Sequence, residues 1–199
     1  MSNITKEFES RIMLTNDEYI SVVSFFMKIY PNQHFLQNTN YYFDTNDFCL
    51  KNQHITLRVR FINDVKCELT LKIKGSNGDQ EINDSLTFKQ FELLKNEGVF
   101  PIGNVRDYLL TLSLPLNAYK CLTSLYNLRL EIKQEDHLLV IDKNIYNDIT
   151  DYNLEIETED NVVHAQDVLS SYIKQFNLSL GAQKYKGKAH RALDSLNSN

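Results

Sequence analysis

The chain predicts an α+β fold in which antiparallel strands curl into a closed or nearly closed β-barrel with helices packed outside. Three observations carry that expectation. Several stretches alternate between charge and oil with the period of a strand, others repeat apolar residues with the period of a helix, and the charges come in matched sets. The acids appear twice as Glu-x-Glu, at Glu7 and Glu9 and at Glu155 and Glu157; the bases appear as Arg58-x-Arg60 and Lys72-x-Lys74. A solvated sheet face mixes polar residues without such organised pairs. Charge turned inward and oil turned outward beneath helices gives these sets each other as partners.

In chain order, Glu7 to Ile12 reads as a strand with Glu7, Glu9 and Arg11 on one face and Phe8, Ser10 and Ile12 on the other. Two like charges on one strand face repel unless a cation sits opposite, and a hard divalent ion is the cation that carboxylates suit. In isolation this stretch reads better as a solvated strand face near the N-terminus. Thr15-Asn-Asp-Glu18 has capping-box spacing and opens a helix through Tyr19, Val22, Val23, Phe26 and Ile29 up to Pro31. Tyr41-Tyr-Phe43 is a short aromatic strand running into an Asp/Asn turn, its rings expected to pack in the core.

Thr56 to Phe61 and Cys67 to Lys74 are half oil and half charge, and Gly75-Ser-Asn-Gly78 breaks the pattern as a turn. Thr87 to Gly98 is a helix that Gly98 ends, and Asn104 caps a shorter one stopped before Pro115. Leu122 to Tyr126 fits strand or helix equally. The alternation returns at Leu128–Lys133, Leu139–Asp142 and Leu154–Glu159, then a helix spans Val162 to Phe176, and a basic tail runs from Gln183 to Arg191 before a last helical turn.

Composition bounds the reading. The 199 residues, 42% apolar and 24% charged, suit a single globular domain over residues 1–199. A net charge of −5 gives no overall basic footprint for nucleic acid, so any anion site must be a local concentration of Lys and Arg. Cys49, Cys67 and Cys121 lie far apart with no C-x-x-C, and the five histidines lack H-x-x-x-H spacing, so no zinc site is expected. No apolar run has the length of a membrane span and the N-terminus lacks a signal-peptide core, which places the protein in the cytoplasm without membrane association. Nothing fixes the oligomeric state, and a homodimer is open.

A barrel with a basic wall and an acidic wall is costly empty; it makes sense as a site for a polyanion bridged by metal to the carboxylates. Here the sequence resembles the CYTH superfamily of triphosphate tunnel metalloenzymes, which includes class IV adenylate cyclases and thiamine triphosphatases. The stretches that carry the resemblance are Glu7-Phe-Glu-Ser-Arg11, Tyr42-Phe-Asp-Thr45, Leu57-Arg-Val-Arg60, Leu69-Thr-Leu-Lys72, Arg129-Leu-Glu131, Val140-Ile-Asp142, Asp151-Tyr-Asn-Leu-Glu-Ile-Glu157 and Lys186-Gly-Lys-Ala-His-Arg191. They run in order over nearly the whole chain, and the match is nearest the small single-domain form of Firmicute bacteria.

The resemblance implies an eight-stranded barrel whose tunnel takes a small-molecule triphosphate. It implies Mg²⁺ or Mn²⁺ at Glu7, Glu9, Glu155 and Glu157, with Glu131 and Asp142 as further metal candidates. It implies phosphate contacts from Arg58, Arg60, Lys72, Lys74, Arg129, Lys186, Lys188 and Arg191. The catalytic set is then Glu7, Glu9, Arg11, Glu155 and Glu157. Arg11 stands where the family usually has Lys, a substitution that exchanges a compact donor for a forked one, and Asn153 stands where an acid is common. Metal-dependent hydrolysis of a linear triphosphate, inorganic or organic such as thiamine triphosphate, is the activity implied. Cyclisation of ATP to cyclic AMP and a non-catalytic polyphosphate or nucleotide sensor are the alternatives.

Overall fold

Eight antiparallel strands, most of them alternating oil with polar residues, close the sheet on itself. The computed structural model describes residues 5–75, 79–112, 115–159, 161–179 and 186–197, the side chains of 5–7 and 197 excepted. In order these residues form β1 (Thr5–Leu14), α1 (Asn16–Ile29), β2 (Leu36–Asp44), α2 (Cys49–Asn52), β3 (Ile55–Ile62), β4 (Lys66–Ile73), β5 (Asp79–Leu86), α3 (Phe88–Glu97), α4 (Asn104–Leu110), β6 (Lys120–Lys133), β7 (Leu138–Tyr146), β8 (Ile149–Thr158), α5 (Val162–Phe176) and α6 (Lys188–Asp194). Around the barrel the order is β1-β5-β4-β3-β2-β6-β7-β8. All neighbours are antiparallel. β1 makes the closure by dividing its length: residues 5–7 pair with β5, and Phe8–Leu14 pair with β8.

Two apolar clusters hold helices to the outside of the barrel. Val22 and Phe26 of α1 and Leu169 of α5 cover Ile12, Leu130, Ile141, Leu154 and Ile156. Leu50 of α2, Phe91 and Leu94 of α3, and Val105 and Leu109 of α4 cover Leu57, Val59, Leu69 and Leu71. Each such side chain stabilises the fold by about 1.5–3 kcal/mol relative to exposure. The capping box forms as expected, Glu18 N–H donating to Thr15 Oγ1 at 3.2 Å and Thr15 N–H to Glu18 Oε2 at 2.7 Å. Gly98 ends α3 in the left-handed region at φ 69°, where a Cβ is disfavoured.

The structure corrects the sequence reading in four places. β5, Asp79-Gln-Glu-Ile-Asn-Asp-Ser-Leu86, carries acids and amides on both faces and so offers no period-2 signal, yet it completes the barrel between β4 and β1. The ambiguous Leu122–Tyr126 lies inside the 14-residue strand β6. The start of α4 is satisfied from a distance by Asp84 of β5, which accepts from the backbone of Asn104 at 3.1 Å and of Val105 at 2.8 Å, so Asn104 is the first helical residue and not the cap. Tyr42 shares the inward face with Asn38 and Asn40, while Tyr41 and Phe43 pack beneath the helices. Gly75 apart, the predicted turn to Gly78 lies outside the described residues, as does the tail segment 183–185.

One end of the barrel is stoppered. Ala189, Ala192 and Leu193 of α6 pack on the inward side chains Tyr42, Leu125 and Tyr146. Next to them the inner wall is a ladder of buried amides: Asn38 donates to Asn127 at 3.0 Å, Asn127 to Asn144 at 3.0 Å, and Asn144 to Asn153 at 2.8 Å. A closed amide ladder fills that end without stranding polar groups.

Candidate functional site

Above the stopper the barrel encloses a cavity of about 400 Å³ whose lining includes seven Lys and Arg side chains against five carboxylates. The period of the strands puts them there. β1 contributes Glu9 and Arg11, β3 contributes Arg58 and Arg60, β6 contributes Arg129, and β8 contributes Glu155 and Glu157; Lys72, Lys74 and Lys188 come from the β4 side and the start of α6. Ten of the residues named from sequence thus meet in one space.

The acidic wall is organised by cross-strand register. Glu9 stands opposite Glu157, and Arg11 opposite Glu155. Arg11 bridges the two carboxylates, pairing with Glu9 and reaching Glu155 Oε1 at 3.3 Å. Arg129 forks onto Asp142 through Nε and Nη2 at 2.9 and 3.0 Å, while the same Nη2 lies 3.5 Å from Glu155 Oε2 and Nη1 lies 3.8 Å from Glu157 Oε1. Lys188 completes the set at 2.7 Å from Glu155 and 2.8 Å from Asp142. Burial alone would raise the Glu155 and Asp142 carboxyls, but Lys188 and Arg11 on the first and Arg129 and Lys188 on the second hold both below the usual carboxylate range.

The basic wall is less well matched. Arg60 is half-buried, and its one side-chain hydrogen-bond partner among the described residues is Asn40 Oδ1 at 2.8 Å. Burial, Arg58 and Arg129 together push its guanidinium down to about 9. Arg58 stands 4.0 Å from Glu81, and its Nε has no hydrogen-bond partner among the described residues. Lys72 sits within 3.3–3.8 Å of Glu81, Asp79 and Glu9. Burial works to raise the Glu81 carboxyl, and Arg58 and Lys72 outweigh it. A half-buried guanidinium pair with one carboxylate at 4.0 Å is an anion site in electrostatic terms.

Some residues named from sequence fall elsewhere. Glu7 pairs with Asp79 through the backbone, and its side chain lies outside the described residues. Asp142 lies behind the cavity, fully buried, with both oxygens engaged by Arg129, Lys188, Asn127 and Asn153. Glu131 is outside the lining, 3.5 Å from Arg129. Lys186 pairs with Asp194 on the surface, and Arg191 forks onto Asp151 at 2.8 and 2.9 Å, fastening α6 to β8. Sequence reasoning missed Asp79, Glu81, Tyr42, His54 and His190 in the lining. Tyr42 was recoverable, since it is in phase with Asn38 and Asn40 and stands opposite Arg58.

A divalent ion is tested by the donor set. Glu9, Glu155 and Glu157 offer only carboxylate oxygens, the chemistry that magnesium and manganese take, and the facing pair Glu9 and Glu157 sets two like charges on one cross-strand step. Among the described residues no three acids or histidines converge on one point, because Arg11, Lys72 and Arg129 stand between them. The donor type suits a hard ion, while Arg11, Lys72 and Arg129 already share these carboxylates. No helix among the described residues is long and apolar enough to cross a membrane.

Comparison with known proteins agrees with this geometry. Residues 5–174 match the family model of the CYTH domain. The "Putative triphosphatase YjbK" of Bacillus subtilis (strain 168) is 34% identical over 154 residues, covering 77% of this chain and 78% of that protein. A crystal structure of a "putative adenylate cyclase" from Bacillus halodurans superposes with a TM-score of 0.84 at 28% identity, covering 94% of this chain and 97% of that one. HpAC1 from Hippeastrum shares the fold with a TM-score of 0.74 at 20% identity, covering 98% and 96%. Strand order, charged tunnel and family match together establish that this chain belongs to the CYTH family.

Proposed function

We propose that the chain hydrolyses a phosphoanhydride bond of a linear triphosphate held in the tunnel, with inorganic tripolyphosphate as the default substrate. The single observation that carries this reading is the half-buried pair Arg58 and Arg60, which among the described residues has only Glu81, 4.0 Å from Arg58, as an acidic partner, inside a cavity that also presents Glu9, Glu155 and Glu157. A plain anion binder gains nothing from that facing row of carboxylates. The relative YjbK, described as a triphosphatase, supports hydrolysis as the reaction class.

In this reading Arg58, Arg60 and Lys72 take the phosphate oxygens, and Arg129 and Lys188 turn part of their charge from Glu155 to the substrate. Glu7, Glu9, Glu155 and Glu157 would hold Mg²⁺ or Mn²⁺. The ion, when bound, neutralises phosphate oxygens and favours attack at phosphorus. Water oxygen bonds to the terminal phosphorus as the anhydride P–O bond breaks, orthophosphate and pyrophosphate form, and the water proton passes to solvent or a carboxylate. The chain's own share is positioning and charge, since its groups are held by the barrel before substrate arrives. Asp142 acts as a positioning residue that aims Arg129 and Lys188.

Phosphorus NMR of the products tests the reading. Incubation of tripolyphosphate and of ATP with protein and either metal should give orthophosphate with pyrophosphate or ADP. Cyclic AMP with pyrophosphate from ATP would assign a cyclase instead, and binding without any product would assign a sensor.

A further inference from the structure

At one edge of the cavity lie three groups that the triphosphate reading leaves unused: His54 and Lys74 at the facing ends of β3 and β4, and His190 in the first turn of α6. They are brought together by backbone. Lys74 N–H donates to His54 C=O at 3.1 Å, extending the β3–β4 ladder one step past its last paired residues. His54 takes the left-handed conformation at φ 59°, which turns the chain from α2 into β3. His190 is half-buried and lies in the positive field of Lys51, Lys74 and His54, with Asp194 as the acid beside it; that carboxylate is already shared by Lys51 and Lys186. Burial and those cations push the His190 imidazole down. Asp79, the other acid on this side, is held by Lys72.

We infer that His54, Lys74 and His190 form an outer anion subsite that takes a fourth phosphoryl group, so that the tunnel prefers linear polyphosphate of four or more units to triphosphate. This rests on the triphosphate reading of the inner site. The chemistry of the edge selects among substituents on the triphosphate. An ammonium and two imidazole N–H donors serve another phosphate, a neutral nucleoside gains little from them, and the thiazolium of thiamine is repelled. His54 and Lys74 are exposed, so the subsite faces outward. The site is continuous with the inner wall, since Thr56 and Arg58 follow His54 along β3 on the same face and Lys72 precedes Lys74 on β4.

The test uses the full chain and a double variant, His54→Gly with His190→Ala; Gly tolerates the left-handed backbone and neither replacement carries a side-chain donor. Titration calorimetry in metal-free buffer measures tripolyphosphate and tetrapolyphosphate binding, and phosphate release with metal measures kcat/KM for each. The wild type is expected to bind tetrapolyphosphate about tenfold more tightly than tripolyphosphate, the size of one charge-assisted contact set. The double variant, which keeps only Lys74 of the three donors, should cut that ratio to about threefold or less while tripolyphosphate affinity stays within about twofold, because the inner contacts remain. Equal affinities in the wild type, or a preference that survives the double variant undiminished, would overturn the subsite and leave the inner site standing. Failure of both anions to bind the wild type would overturn the triphosphate reading itself, and the subsite with it.

Discussion

Glu9 on β1 and Glu157 on β8 face each other across one step of the barrel ladder, each held by cations that belong to the tunnel and not to the surface. Like charges in that position work against the sheet. A bound divalent ion would relieve them. Magnesium or manganese at about a hundred times its Kd should therefore add about 2.7 kcal/mol, several degrees in Tm, read by a thermal scan. Glu9→Gln and Glu157→Gln should each lose most of that shift. A shift unchanged in both would place the metal elsewhere.

Arg60 separates binding from stability. It is half-buried, with a neutral amide as its side-chain partner among the described residues and two guanidiniums nearby, so its charge costs the fold more than it returns. Arg60→Met should hold or raise Tm while weakening tripolyphosphate binding about tenfold or more by calorimetry. A variant that melts early and binds normally would make Arg60 a structural cation.

Asp142 should behave in the opposite way. Its folded carboxyl is held low by Arg129 and Lys188, so the stability it contributes is present above the unfolded carboxylate range, near pH 4, and is lost as pH falls toward its folded value. Asp142→Asn leaves Arg129 and Lys188 without that partner and should cost about 3–5 kcal/mol at pH 7. The variant's stability should then fall less steeply than the wild type's between about pH 5 and pH 2. Urea titrations across that range give both slopes, and parallel curves would refute the assignment.

Arg191 tests the anchoring of α6. Its fork on Asp151 ties the stopper, and with it Lys188, to β8. Arg191→Lys cannot reproduce the two-pronged contact and should lower Tm and raise KM, with kcat changed less. An unchanged KM would mean that Lys188 is positioned without it.

The sequence was most legible where one face of a strand is oil and the other charge. Leu57-Arg-Val-Arg60 and Leu154-Glu-Ile-Glu157 gave both their structure and their direction, because period 2 decides which side chains enter the tunnel. β5 was illegible since its acids Asp79 and Glu81 face inward while Asp84 serves a helix end, so polarity marks neither face. The tail was half legible: Lys186, Lys188 and Arg191 look alike in sequence, and only the docking of α6 sends Lys188 to Glu155 and the other two to carboxylates outside the cavity. Asp142 carried the right charge for a metal ligand, but buried amides and two cations occupy its oxygens, an arrangement that depends on contacts between β6, β7, β8 and α6.

The most direct measurement of the central claim is initial-rate phosphate release from tripolyphosphate, with magnesium, manganese or chelator, by the wild type and by Glu9→Gln and Arg60→Met proteins checked for folding by Tm. The account predicts metal-dependent release by the wild type, loss of at least about a hundredfold in kcat/KM in each variant, and none with chelator. Release that is indifferent to metal, or that survives intact in either folded variant, would contradict it.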